Sequence, residues 1–226
     1  LAIFITHAQG FNGLNEKLLK FLKKKRIHLI EDVCESHGAT FKNKKLGTFG
    51  LISNFSFYYA HHMTTIEGGM ISTNDKKIYE TVKILRSHGM VRESKNNNFE
   101  NKMINKYKKL SPQFIFLYPT LNFRNNEIGA SIGLNQLKKL NINNKKRSYN
   151  FNYFLKNLDE KKYWKNFDTK GSSNYAFPII LQTTNLKKRD YYKCDIYNKL
   201  EIDLNNVDSN TKHLLLFKPI SFIFDK

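Results

Sequence analysis

The sequence predicts an α/β fold built on a largely parallel sheet. Short apolar segments alternate along the chain with segments whose apolar residues recur at helical spacing. Four prolines in 226 residues fit regular structure better than a chain rich in linkers. An apolar content of 40%, with 18 Phe, is enough for a sizeable core. We expect a main α/β domain over residues 1–145 and part of a smaller α+β domain over residues 146–226.

The first half of the chain predicts strands and helices in alternation. Ala2–Thr6 is apolar and predicts a buried strand. Leu18, Leu19 and Leu22 mark one face of a helix from Asn15 to Lys25. The further predicted elements are strands at Ile27–Ile30, Phe55–Tyr59 and Met70–Ser72, and a helix that Asn74-Asp75 would cap and that runs to about Arg86.

The second half predicts two consecutive helices, then a strand and another helix. Apolar residues recur on one face of the first helix, from Asn126 to about Leu140, and we expect this face to be buried. The apolar residues of this helix face are Ile128, Ile132, Leu134 and Leu137. Before this helix, the Asn- and Lys-rich segment Ser94–Lys109 predicts an exposed loop or lid. The remaining elements are a second helix to about Leu158, a strand at Tyr175–Leu181 and a helix at Lys188–Leu200.

Composition excludes several classes of partner. The net charge of +19 comes mostly from lysines spread over the chain, and no RNA-binding aromatic signature or zinc-finger spacing accompanies them, so no nucleic-acid partner is expected. No apolar run approaches 18 residues, so no membrane span is expected. Two cysteines, Cys34 and Cys194, cannot form a disulfide framework, which favours a reducing, cytoplasmic setting.

Both ends of the chain are abrupt. It begins with Leu1, inside an apolar run, and its last segment is apolar and aromatic. We expect a part of a longer protein, truncated at both ends.

Three polar clusters occupy positions where an open α/β sheet binds ligands, beyond the carboxyl ends of its strands or at the start of a helix. They are Glu31–Ala39, Ser56–Gly69 and Asn122–Glu127.

The second cluster contains two adjacent histidines in a region without basic residues. His61 and His62 lie between an aromatic run and a Glu-Gly-Gly turn. No Lys or Arg occurs from Leu46 to Asp75, although the chain has 38 of them. This pattern indicates a site from which lysine chemistry has been removed.

These clusters resemble three ordered motifs of the DegT/DnrJ/EryC1/StrS sugar aminotransferases, a family of fold-type I pyridoxal-phosphate (PLP) enzymes. Residues 31–39, EDVCESHGA, match E-D-x-A-Q-x-x-G-A; residues 56–69 match S-F-x-x-x-K-x-x-x-x-x-E-G-G; and residues 121–137 match Y-N-x-R-M-x-E-I-x-A-A-x-G-L-x-Q-L. The resemblance runs from Leu1 to about Leu158, and more weakly to Leu200. It implies a mainly parallel sheet in a three-layer sandwich, with part of a smaller C-terminal α+β region.

One departure from the motifs narrows the resemblance. The family lysine that binds the cofactor covalently lies six residues before the Glu of E-G-G, and His61 stands at that position. An imidazole cannot hold the cofactor in that way, so the chain is most similar to the subgroup of sugar 3-dehydratases.

The cysteines distinguish two branches of that subgroup. The iron–sulfur branch uses the spacing C-x57-C-x-C-x7-C, and counting from Cys34 gives Arg92, Ser94 and Lys102. None of these three residues is a cysteine, so this chain cannot bind an iron–sulfur cluster with that spacing. Glu35, which replaces the family's Gln, likewise resembles the branch that acts on GDP-4-keto-6-deoxyhexoses.

The resemblance implies a role for each of five residues. His61 would be the catalytic base, since an imidazole with a pKa near ~6.5 can take up a proton and return it near neutral pH. Asp32 would keep the cofactor's ring nitrogen protonated, and Ser56 would bind its phosphate. Asn122 would reach the phosphate from the neighbouring subunit of a homodimer, and Glu35 would lie near the cofactor's reactive edge.

The implied reaction removes the C3 hydroxyl of a nucleotide-linked 4-ketosugar. Its cofactor would be pyridoxal 5'-phosphate or pyridoxamine 5'-phosphate, and L-glutamate would renew the amine. Such reactions supply deoxysugars of the colitose type for O-antigens.

Several alternatives remain open. His62 could be the base instead of His61, and Asp32 could be only a turn former. A sugar aminotransferase that uses another lysine, or an inactive fragment that keeps only the fold, would share these motifs. A His-His pair can also bind a metal, but no further ligands at suitable spacing accompany this one, so no metal is expected.

Overall fold

A computed structural model describes residues 1–183 and 185 and the backbone of 222–223. The strands are β1 (Ala2–Thr6), β2 (His28–Asp32), β3 (Thr40–Phe41), β4 (Lys44–Lys45), β5 (Ile52–Ser56), β6 (Gly69–Ser72), β7 (Ile179–Ile180) and β8 (Phe222–Ile223). The helices are α1 (Glu16–Lys25), α2 (Lys76–Arg86), α3 (Asn97–Lys106) and α4 (Glu127–Asn157).

The main sheet has four strands in the order β1-β2-β5-β6. The first three are parallel, as the sequence predicts, with Asp32 beside both Thr6 and Asn54. β6 is antiparallel to β5. No helix separates these two strands, and a parallel return needs a crossover connection, so the chain reverses directly.

Helix α1 covers one face of this sheet. The Asn15 side chain accepts the backbone N–H of Leu18 and begins the helix. Lysines occupy its last turn, where cations complement the helix dipole. Leu22 of α1 and Leu29 of β2 belong to the buried core on this face.

The opposite face of the sheet is exposed in the described part of the chain. Strand pairing and side-chain alternation place Phe4, Ile71, Asp32 and Ser56 on this face. Phe4 is 58% exposed and Ile71 is 51% exposed. The third layer of the expected sandwich would cover this face.

Helix α4 is a single helix where the sequence predicts two. The prediction that its apolar face is buried is wrong, because Ile128, Leu134 and Leu137 are 75%, 63% and 53% exposed. The helix instead presents Gly129 and Gly133 to the interior. The glycines leave room for a close approach that a larger side chain would block, and they override the apolar periodicity.

Other elements differ from prediction in extent. The expected strand Phe55–Tyr59 begins and ends three residues earlier, as Ile52–Ser56. The expected loop contains α3, which begins where Asn96 accepts the backbone N–H of Phe99. The strand expected at Tyr175–Leu181 is limited to Ile179–Ile180.

The expected division at residue 145 falls within α4, which continues through it. The helix expected at Lys188–Leu200 lies outside the described residues. Among the described residues, no helix combines the length and the hydropathy that a membrane span requires.

Candidate active site

Asp32 ends β2 with its carboxylate surrounded by hydrogen-bond donors. Oδ1 accepts the backbone N–H of Cys34 at 3.1 Å and the Asn54 side-chain amide at 3.0 Å. Oδ2 accepts the Thr6 hydroxyl at 3.2 Å. Burial favours a raised pKa, but these bonds and one from the Cys34 thiol outweigh it and hold the pKa of Asp32 below its ordinary value. Asp32 is therefore an anion at neutral pH.

Cys34 belongs to the same network. The Asn54 amide also donates to Cys34 Sγ, at 3.2 Å. Burial, the hydrogen bond to Asp32 and the negative charge of Asp32 raise the pKa of the Cys34 thiol to about 12. The thiol stays protonated and acts as a donor rather than a nucleophile.

Glu31, next to Asp32, points to the other face of the sheet and is fully buried. Its carboxylate accepts the backbone N–H groups of Gly47, Phe49 and Gly50 at 2.7, 2.8 and 2.6 Å. His7 Nε2 lies 3.4 Å from Glu31 Oε1. Burial favours a raised pKa for Glu31, but these bonds outweigh it and the pKa is lowered. Glu31 thus holds the loop before β5, while Asp32 faces the open side.

Ser56 ends β5, two residues after Asn54 and on the same face as Asp32. Its hydroxyl oxygen accepts the backbone N–H of Tyr58 at 3.3 Å. That bond leaves the hydroxyl proton for another acceptor, such as a phosphate oxygen.

The two histidines lie in the loop between β5 and β6 and have different surroundings. His62 is only 4% exposed, and its Nε2 lies 3.1 Å from the carbonyl oxygen of Ser173. His61 is partly exposed, with its ring centroid 5.4 Å from that of Tyr175 and 6.1 Å from that of Tyr58. The exposure favours His61 as the residue that meets a ligand.

Glu35 is anchored to the turn after β1. Its Oε2 accepts the backbone N–H of Gln9 at 2.6 Å, where Gln9 has a positive φ of 57°. The negative charge of Glu35 also contributes, after burial, to a raised pKa of Tyr175. Gln9 in turn accepts the backbone N–H of Tyr175 at 3.0 Å, so Gln9 links Glu35 to Tyr175, whose ring lies beside His61.

Asn122 lies in the segment before α4, where its backbone pairs with Ser87. It is exposed, and its side-chain oxygen accepts the backbone N–H and Nε of Arg124 at 3.0 and 3.1 Å. Its expected role, from a neighbouring subunit, stays a prediction.

Sequence reasoning missed three residues of the site. Asn54 lies on β5 two residues before Ser56 and shares its face, but the predicted strand began only at Phe55 and so left Asn54 out. Arg147 and Tyr175 lie far along the chain in segments without any ligand-binding motif. Only tertiary contacts bring Tyr175 to the histidine loop and Arg147 to the carbonyl oxygen of Tyr175.

The arrangement fits the expected cofactor. An ionised carboxylate on an open sheet face suits a protonated ring nitrogen, and the Ser56 hydroxyl at the end of the neighbouring strand suits a phosphate. In the part of the chain that the structure describes, no group of three or more His, Cys, Asp or Glu could hold a metal ion.

Comparisons with known proteins show the family. The profile of the DegT/DnrJ/EryC1/StrS aminotransferase family matches residues 1–201. The chain is 37% identical over 184 residues to the GDP-4-keto-6-deoxy-D-mannose 3-dehydratase of Escherichia coli O55:H7, covering 80% of this chain and 47% of that protein. It is 31% identical over 183 residues to the UDP-4-amino-4,6-dideoxy-N-acetyl-beta-L-altrosamine transaminase of Campylobacter jejuni strain 81-176, covering 80% and 44%.

A solved relative supports the fold. The E. coli GDP-4-keto-6-deoxy-D-mannose-3-dehydratase with bound hydrated PLP is similar with a TM-score of 0.71 and 28% identity, covering 99% of this chain and 58% of that one. The expected fold class is confirmed, and the PLP in that relative agrees with the expected cofactor. The chain spans about half the length of the curated relatives it matches.

Proposed function

This chain belongs to the DegT/DnrJ/EryC1/StrS aminotransferase family, and we propose that the whole protein is a PLP-dependent nucleotide-sugar 3-dehydratase. Its substrate is a GDP-4-keto-6-deoxyhexose. The observation that carries the proposal is the presence of a histidine, His61, at the position of the cofactor-binding lysine. It replaces the family lysine, it is partly exposed beside Tyr175, and no lysine lies between Leu46 and Asp75 to take that lysine's place.

Each site residue has a defined task in this reaction. The cofactor, when bound, supplies an amine that activates the sugar at C4 and an electron sink for proton removal. Asp32 holds the ring nitrogen protonated and Ser56 binds the phosphate. His61 takes up the proton and returns one to the departing C3 hydroxyl. Glu35 fixes the turn that carries Gln9 against the site.

The overall reaction balances with L-glutamate as the amine donor. The 4-ketosugar loses its C3 hydroxyl and gains a hydrogen, glutamate becomes 2-oxoglutarate, and ammonia is released. A homodimer in the cytoplasm, with Asn122 reaching the partner's cofactor phosphate, is part of the proposal. The exposed position of Asn122 supports it.

A second candidate function is a nucleotide-sugar aminotransferase, which the similarity to the Campylobacter transaminase favours. It needs a lysine to return the amine to the sugar. The lysine-free loop and the higher identity to the dehydratase therefore favour elimination.

The alternative base for this elimination is His62. It is less suited than His61, because it is buried and its Nε2 lies against the carbonyl oxygen of Ser173.

The test uses the full-length protein, loaded with cofactor, with GDP-4-keto-6-deoxymannose and L-glutamate. We expect equal amounts of ammonia, 2-oxoglutarate and 3-deoxysugar, and an amino sugar would instead establish the aminotransferase. His61→Lys should gain covalent cofactor attachment that borohydride makes permanent. Wild-type protein that is trapped by borohydride through a lysine would contradict the proposal. A full-length protein that yields no product would establish the inactive alternative.

A further inference from the structure

We propose that Tyr175 is a positioning residue whose aromatic ring fixes the orientation of the His61 imidazole, so that the segment after α4 completes the catalytic centre. This inference rests on the proposed function in one respect, the role of His61 as the base. It assigns a task to a residue that no sequence motif marks.

The loop that carries Tyr175, residues 171–175, is held to the rest of the chain by six hydrogen bonds. They join the loop to the turn after β1, to β3, to the histidine loop and to α4. They are Thr40 N to Gly171 O at 2.7 Å, Ser173 N to Gly10 O at 2.9 Å, Tyr175 N to Gln9 O at 3.0 Å, His62 Nε2 with Ser173 O at 3.1 Å, Arg147 Nη1 to Tyr175 O at 3.0 Å and Ser148 Oγ to Asn174 Oδ1 at 3.0 Å.

Two glycines permit the close approach of this loop to the main domain. Gly10 has a φ of +85°, and a Cβ there would lie 2.6 Å from the backbone nitrogens of Asn174 and Tyr175. A Cβ on Gly171, with φ +75°, would lie 2.1 Å from the carbonyl oxygen of Thr40. Glycine at both positions permits two backbones to approach more closely than any side chain allows. The loop is therefore held with little freedom.

The held loop places the Tyr175 ring against both histidines. Its centroid lies 5.4 Å from that of His61, at an interplanar angle of 45°, and 5.8 Å from that of His62, at 41°. The ring centroids of Tyr58 and His37 lie 6.1 and 6.4 Å from that of His61. The partly exposed imidazole thus has neighbouring rings, and packing against rings limits its rotamers.

Arg147 holds the backbone of Tyr175 through one hydrogen bond. The guanidinium donates to the Tyr175 carbonyl oxygen, and no carboxylate among the described residues lies within salt-bridge distance of it. Burial, and then the charge of Glu35, raise the pKa of Tyr175, so its phenol stays neutral at working pH. A neutral ring offers packing without adding charge to the base.

The test compares three variants of the full-length, cofactor-loaded protein. Tyr175→Phe keeps the ring and should retain kcat within about 3-fold. Tyr175→Ala and Tyr175→Leu remove the flat ring and should lower kcat by about 10²-fold, with the KM for the nucleotide sugar changed less than about 3-fold. Tyr175→Leu keeps most of the apolar volume, so it gives a result even if the Ala variant fails to fold. Tyr149→Ala, at a 71% exposed tyrosine of α4, is the control.

A second measurement does not depend on turnover. The imidazole Cε1–H signal of His61, assigned by its loss in His61→Asn, should keep its chemical shift in Tyr175→Phe and move toward that of a free histidine in Tyr175→Leu. If the protein releases no ammonia, the proposed function fails, but this signal still decides the role of Tyr175. An unmoved signal in Tyr175→Leu, a kcat loss in Tyr175→Phe equal to that in Tyr175→Leu, or a rise in KM alone would each overturn the inference.

Discussion

His62 Nε2 lies 3.1 Å from the carbonyl oxygen of Ser173, a residue 111 positions further along the chain. This contact separates the two adjacent histidines into different tasks. His62 links the histidine loop to the segment after α4, and it is buried. His61, next to it, is left partly exposed at the site. The two histidines, adjacent in sequence, are therefore one buried anchor and one partly exposed imidazole.

Substitutions of the two histidines should therefore differ in kind. His61→Asn should lower ammonia release about 10²–10⁴-fold, the usual contribution of a general base, and leave the melting temperature nearly unchanged. His62→Leu should instead lower the free energy of unfolding by about 1–3 kcal/mol, because the Ser173 carbonyl is left without this partner. Steady-state kinetics and thermal unfolding of the full-length protein measure both. Full activity in His61→Asn would show that another residue is the base.

Asp32→Asn should weaken the cofactor site without loosening the fold. The amide cannot hold the ring nitrogen protonated, so we expect kcat to fall by about 10²-fold or more and the cofactor absorbance spectrum to change. Asp75→Asn is a matched control, since Asp75 caps α2 by accepting the N–H groups of Lys77 and Ile78. Equal losses in both variants would mean that Asp32 is only a structural residue.

Acid stability should depend on Glu31. Its pKa is lowered in the fold, so it stabilises the protein at pH values above its unfolded pKa of about 4.3, and this contribution is lost as the pH falls through the folded pKa. Urea unfolding from pH 7 down to pH 3 should show a shallower loss of stability in Glu31→Gln than in wild type. The exposed Glu160→Gln should follow wild type. An unchanged slope in Glu31→Gln would contradict the role of Glu31.

The Cys34 thiol should react very slowly in the folded protein. With a pKa of about 12, only about 10⁻⁴ of it is thiolate at pH 8. Alkylation with iodoacetamide, followed by mass spectrometry of the Cys34 peptide, should show little labelling in the native state and full labelling in urea. Asp32→Asn removes the charge that raises the pKa and should speed the native reaction. Rapid labelling of native wild-type protein would show that the network around Asp32 is not formed.

The glycines of α4 should be intolerant of larger side chains. A Cβ on Gly133 would lie 3.0 Å from Thr65 Cγ2, in the loop that carries His61. Gly133→Val should therefore cost about 1–3 kcal/mol of stability by overpacking and should also reduce activity, because the displaced loop moves the base. Ser131→Val, at an exposed position of the same helix, is the control for β-branching. Comparable stability of the two variants would contradict this packing.

Much of the main domain could be predicted from local patterns. β1, α1 and α2 lie within a residue or two of their predicted positions, since apolar periodicity and capping residues act over a few neighbours. The orientation of α4 could not be predicted. Its apolar residues indicated one buried face, but the glycines determine which face can approach the histidine loop, and periodicity does not record close approach.

The sequence alone determined the family, the lysine-free loop and the residue types that stand at the family's cofactor positions, because motif spacing is a local property of the chain. Only the tertiary structure decided that His61 and His62 differ, that Asn54 and Cys34 surround Asp32, and that Tyr175 lies against the histidines. These relationships join residues distant in sequence or fix the face on which neighbours point. Burial and hydrogen bonding across the fold set them, and no spacing along the chain encodes them.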